Sequence, residues 1–246
     1  MIGRWIFVRD GRLSGATKLA LALGFVLALI VAFPMRLALA WGAPGQLTAR
    51  EVEGTIWDAV FYDLRVGALP LGDVAAHLRA LPLLIGRREV HVERPGPSGA
   101  PEFAANGGAG KGWARLHDVD GQVPLGDGFG TIPATALGFK DFHVVMADGR
   151  CREAGGQVSL ILSPLSELMT GPVALSGTAR CSGNALYVPM TGPSGTERLF
   201  LRLEPDGRWR ADLVLAGLPI EITTPLLEAG FAARPGGIGM TAQGRL

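Results

Sequence analysis

The stretch that decides the fold is residues 52–92, VEGTIWDAVFYDLRVGALPLGDVAAHLRALPLLIGRREVHV. Val60, Tyr62, Leu64 and Val66 are spaced by two and share one face if the chain is extended. Val74, Ala76 and Leu78 alternate with Ala75, His77 and Arg79. Val90 and Val92 alternate with Glu89, His91 and Glu93. Gly67, Pro82 and Gly86 break these runs. Pro70-Leu71-Gly72-Asp73 reads as a turn, because Pro presets φ and Gly accepts a positive one. Gly54-Thr55-Ile56-Trp57 sets a β-branched pair beside a large aromatic and reads as the start of the first strand. A period of two with frequent breaks predicts a meander of short antiparallel strands with one apolar face.

The pattern continues downstream. From Trp113, Leu116, Val119, Val123 and Leu125 lead to Pro124-Leu125-Gly126-Asp127, a repeat of the earlier tetrapeptide. The strand 139–146 closes at Asp148-Gly149, a strong hairpin signal. Val158, Leu160 and Leu162 return from it. Residues 173–181, Leu186 and Val188, then Leu199, Leu201 and Leu203, and Trp209, Ala211, Leu213 and Leu215 read as further strands. A last strand covers 239–246. Residues 164–170 and 223–231 predict two short helices, the second with Thr224 as cap and Pro225 in its first position. Residues 95–112 have few β-branched side chains and much Gly, Ala and Pro, which predicts a long mobile surface loop. The expectation is a mainly β chain of ten or more strands, curled enough to leave a concave apolar face.

Composition narrows the classes. The 246 residues carry a net charge of +1 with no Lys/Arg stripe, so nothing in them calls for nucleic acid. Thirty-six glycines and 17 prolines favour many turns, and 48% hydrophobic residues favour a packed core over disorder.

The N-terminus sets the compartment. Arg4, Arg9, Arg12 and Lys18 precede an uncharged apolar run from Leu19 to Phe33. Continued to Trp41, it predicts a transmembrane helix over 19–41, about 34 Å long at 1.5 Å per residue. Basic residues before it keep residues 1–18 cytoplasmic and place the rest across the membrane. Ala38-Leu39-Ala40 leaves the alternative of a cleaved signal peptide. Residues 42–50 read as a linker, and 51–246 as an exported β-rich domain, periplasmic in a Gram-negative cell. Cys151 and Cys181 are the only cysteines. An oxidising compartment lets them pair, closing a loop that contributes about 3–4 kcal/mol. Two buried thiols are the alternative.

No catalytic signature is present. His77, His91, His117 and His143 fall at outward positions, scattered along alternating strands. Asp118-x-Asp120 before a glycine reads as a turn rather than a cation site. No catalytic residue, cofactor or metal ligand is assigned.

Gly54 and Trp57, then Pro70, Leu71 and Gly72, then Leu81, Pro82, Leu83, Gly86 and Arg87 together resemble protein N of the bacterial type II secretion system. One N-terminal hydrophobic segment, a β-rich remainder and two late cysteines fit the same layout. The resemblance implies that the segment is kept as an inner-membrane anchor, and that the sheet is curved like those of AsmA-like envelope proteins. It further implies a non-enzymatic component that supports assembly of the export machinery, with other secretion components (inner-membrane or secretin subunits) as partners. The alternative is a lipid-handling module with an apolar groove on the curved sheet. Filled or open, the concave face distinguishes the two.

Overall fold

The computed structural model describes residues 14–42, 47–83, 86–97, 100–126, 129–164, 171–228 and 230–245. Helices α1 (Gly15–Val31) and α2 (Met35–Gly42) come first. Strands β1 (Leu47–Thr48), β2 (Glu51–Gly54), β3 (Asp58–Val66) and β4 (Leu69–Leu78) lead to the short α3 (Ala80–Leu83). Then follow β5 (Arg88–Pro95), β6 (Pro101–Gly110), β7 (Trp113–Pro124), β8 (Ala134–Ala147) and β9 (Arg150–Leu162). After these come β10 (Val173–Thr178), β11 (Arg180–Ser182), β12 (Ala185–Thr191), β13 (Glu197–Leu203) and β14 (Arg208–Leu215). The chain continues through α4 (Ile220–Glu228), β15 (Ala232–Arg234) and β16 (Gly237–Arg245).

The expected helix over 19–41 is two helices, and Pro34 is the reason. Proline lacks the N–H that would bond the carbonyl four residues back, and its ring crowds that carbonyl. Here the carbonyl belongs to Ile30, and the chain leaves the helix at Ala32. Among the described residues no helix is long and apolar enough to cross a membrane. α1 is nonetheless apolar on every side. Its Leu, Val, Ile and Phe side chains are exposed, Phe25 by 67%, and none of its residues is buried. Arg4, Arg9 and Arg12 lie outside the described residues.

The sixteen strands of the described residues belong to one antiparallel sheet in the order β1-β3-β4-β5-β6-β7-β8-β9-β10-β12-β13-β14-β16-β15, with β2 also on β3 and β11 also on β12. It is a meander, as its alternating apolar residues predict, and it does not close on itself. The loop expected at 95–112 is mostly strand β6, paired with β5 and β7. Its backbone bonds on both sides supply what its side chains do not. Glycine there is a fit, since a Cβ at Gly110 would run into the Trp113 indole. The linker expected at 42–50 ends in β1, where Leu47 and Thr48 pair with Val66 and Arg65.

Pro70-Leu71-Gly72 is not a turn. It lies inside β4, opposite Leu64 and Arg65, and the reversal comes earlier at Gly67-Ala68. The register shifts between Phe61 and Leu64, around Asp63, whose φ is 52°. That bulge moves Leu64 onto the face of Ala59 and Phe61, so the expected row Val60-Tyr62-Leu64-Val66 is split. A similar device recurs in β8. Asp141 has φ 51° and donates its N–H to Asp120 of β7, as Asp63 does to Asp73 of β4, both at 2.9 Å. Bulges bend and twist the strand that carries them, which curls this sheet.

The main core runs from β6 to β16, with Leu160, Leu162, Leu175, Met190 and Leu199 fully buried. A smaller core holds Ala59, Phe61, Leu64 and Val74 against Met35 and Leu39 of α2. The helix predicted at 223–231 begins earlier, with Pro225 inside it. The Thr223 and Thr224 hydroxyls donate back to the Pro219 and Ile220 carbonyls, so neither acts as the cap. The helix predicted at 164–170 falls mostly outside the described residues.

Candidate functional site

Gly54 to Trp57 form the tight connection between β2 and β3, not the start of a strand. Thr55 and Asp58 exchange backbone bonds at 2.9 and 3.2 Å. Gly54 has φ 91°, and a Cβ on it would meet the Asp58 carbonyl. The turn presents three groups to the break between α1 and α2. Pro34 bridges to Thr55, the Ile56 N–H donates to the Phe33 carbonyl at 3.0 Å, and the Trp57 indole N–H donates to the Ile30 carbonyl at 3.0 Å. Trp57 therefore adds a shorter bond to a carbonyl that otherwise accepts the Phe33 N–H at 3.5 Å. Its ring is half-buried at this hinge rather than set in the core.

Leu81, Pro82 and Leu83 sit in α3, and Gly86 and Arg87 close it back. Their N–H groups donate to the Leu83 and Pro82 carbonyls at 3.0 and 2.9 Å, with Gly86 at φ 73°. Cys151 and Cys181 form a disulfide with Cα atoms 5.5 Å apart, joining β9 to β11.

The concave face holds an apolar cavity of about 260 Å³. Leu116, Phe139 and Val158 come from β7–β9, and Leu186, Leu201 and Trp209 from β12–β14. Phe129, in the connection after β7, stacks on Trp209 with ring centroids 5.1 Å apart and bridges the two arms. Alternation in the sequence shows which residues of each strand face inward. It does not show that strands so far apart converge, nor that Phe129 closes the gap.

The histidines are not scattered. Register sets Asp58 opposite His77, His77 opposite His91, and His91 opposite Asn106. The rings of His77 and His91 are 6.3 Å apart and stacked, and His91 Nδ1 lies 3.0 Å from Asn106 Oδ1. The Asn106 amide donates on to Asp118 Oδ2, which also lies 2.8 Å from His117 Nδ1. His143, 3.8 Å from Glu153, lines one surface depression with His117 and Asp118. The outward reading of these residues holds, since the neighbouring row Ala59-Ala76-Val92-Ala105 is the one that faces in. Their partners are carboxylates and an amide, an arrangement that makes a cross-strand polar ladder. No group of three or more His, Cys, Asp or Glu among the described residues can hold a metal ion.

At the far end of the sheet, Asp212 carries the clearest electrostatic signature. Hydrogen bonds from Arg210, at 2.9 and 3.0 Å, and from the Thr241 hydroxyl at 2.6 Å hold its carboxyl below the usual range. β15 covers β16 only over Gly237 to Gly239, and among the described residues no other strand pairs with the outer edge of residues 240–245.

Among curated proteins and among solved structures, no significant match was found. The family description "Type II secretion system (T2SS), protein N" matches residues 45–240, which takes in the sheet from β1 to the middle of β16. The chain belongs to the type II secretion system protein N family.

Proposed function

We propose that this chain is an inner-membrane-anchored, periplasmic and non-enzymatic component that supports assembly of the type II secretion machinery. The family match over nearly the whole sheet carries the reading. Three features support it. The apolar surface of α1 needs an apolar medium, and α1 with the hinge at Trp57 is the segment we place in the membrane. The disulfide suits an oxidising compartment. The open edge of β16 and the short edge strands offer backbone groups to partner subunits, contacts that need no reactive side chain.

The test is secretion by cells lacking the gene, complemented with the full chain or with variants, with protein abundance followed in parallel. Photo-cross-linking from Gln243 on the open edge should trap another component of the machinery. Normal secretion without the protein, together with no such adduct, would defeat the proposal. The apolar cavity on the concave face favours the alternative reading, a lipid-handling module.

A further inference from the structure

The cavity on the concave face has a chemistry that selects its occupant. Every residue lining its volume of about 260 Å³ is aliphatic or aromatic, and the Trp209 indole N–H is the single polar side-chain group among them. A peptide would carry backbone N–H and C=O groups into a site that offers them almost no partners. Water needs two or more polar partners to be held there and finds too few. An alkyl chain brings no polar atom. The volume is just under the roughly 300–1,000 Å³ of pockets for drug-sized ligands, which fits one chain rather than two.

Part of the lining is also exposed despite its large apolar side chains. Leu137, Phe139, Leu201, Leu203 and Trp209 are half-exposed and Leu116 is exposed, while Leu160 and Leu199 beneath the same sheet are fully buried. Covering that surface is the gain an occupant would bring. The charged residues next to these positions, Arg115, Lys140, Arg202, Arg208 and Arg210 within the strands and Glu204 just after β13, alternate with the lining residues, and none of them lines the cavity. The cavity therefore has no built partner for a headgroup.

We infer that the concave cavity binds a single alkyl chain of a membrane lipid, held by Phe139, Leu201 and Trp209, without recognising the headgroup. The choice of a membrane lipid rests on the membrane placement proposed above, since α1 would keep the sheet beside a bilayer.

A benzophenone amino acid at position 201, in the full-length chain in its native membrane, should give an acyl-chain adduct by mass spectrometry. The same group at position 202, on the opposite face, should give at least tenfold less. Leu203→Trp, which fills the cavity, should reduce the adduct at 201 at least tenfold. Leu116→Arg, at an exposed position, serves the same end if Leu203→Trp fails to fold. With purified full-length protein in amphipol, a graded series of saturated fatty acids should bind about fourfold tighter per added methylene until the cavity is full. Head groups of opposite charge should bind alike. Equal adducts at 201 and 202, a protein adduct at 201, or an adduct that survives both substitutions would overturn the inference. Carbonate extraction of the same cells reports the membrane placement separately. Soluble protein would sink that placement, while the fatty-acid series would still judge the cavity.

Discussion

Reducing the disulfide isolates one stabilising contribution that the structure makes calculable. Cys151 and Cys181 are separated by 30 residues and tie the start of β9 to β11. On the chain-entropy model a loop of that length costs the unfolded chain about 12 cal/mol/K, or about 3.6 kcal/mol at 25 °C. The folded side has little to lose when the bond opens. The Cys151 N–H donates to the Asn184 carbonyl at 2.8 Å and Cys181 pairs with Leu186, backbone contacts that do not run through the sulfurs. Replacing both residues with Ala would add a packing loss, because both sulfurs touch the main core. The cleaner comparison is the same wild-type chain, oxidised and reduced, in equilibrium urea unfolding. The reduced form should be less stable by about 3–4 kcal/mol. For a sheet of about 200 residues that lowers Tm by roughly 9 °C. A loss under about 1 kcal/mol, with the bond shown to be fully formed beforehand, would refute the entropic reasoning.

Gly54→Ala should destabilise the β2–β3 connection by about 1–3 kcal/mol, since the left-handed φ and the Asp58 carbonyl both oppose a Cβ; chemical denaturation reads it. Trp57→Phe keeps an aromatic ring, though a smaller one, and removes the donor to Ile30, so the lost hydrogen bond should cost about 1 kcal/mol. Its effect should appear as faster amide exchange around residues 30–34, while the main sheet stays protected. Leu160→Ala, at a fully buried site in β9, should cost about 2–5 kcal/mol and shift the whole unfolding transition. The Asp212 carboxyl titrates lower folded than unfolded, so its contribution is present above the unfolded value of about 4 and fades as pH falls through the folded one. Asp212→Asn should therefore weaken the protein slightly at neutral pH, and the difference from wild type should vanish in acid. A difference that grows in acid would reverse the sign of the argument.

The strands were legible wherever polar and apolar residues alternate without a fault, as from Val158 to Leu162, from Leu199 to Leu203 and from Trp209 to Leu215. The faults lie where one residue in a left-handed conformation resets the alternation. Asp63 moved Leu64 to the other face, and no local signal in Tyr-Asp-Leu distinguishes a bulge from a continuous strand. β6 was invisible for a different reason. Its Ala and Gly residues have little strand preference of their own and take their conformation from two neighbouring backbones. The Trp57 contact was hidden because its partner is 27 residues away, and only the three-dimensional hinge brings the indole to the Ile30 carbonyl. The histidine row needed the register of four strand pairings, which periodicity alone does not fix.

The meander also governs the order in which this protein can be built. Nearly every long strand hydrogen-bonds to the strand just before it in the sequence, so each new segment finds its template already in place. Contacts that are close in sequence have a small loop-closure cost and form early. A chain delivered across a membrane from its N-terminus could thus add strands one after another, without waiting for a distant partner. Two ties cannot form on that schedule: the stacking of Phe129 on Trp209 and the bond from the Thr131 hydroxyl to the Thr241 carbonyl. Each joins an early segment to a late one, so the curled shape is locked only when the last strands arrive.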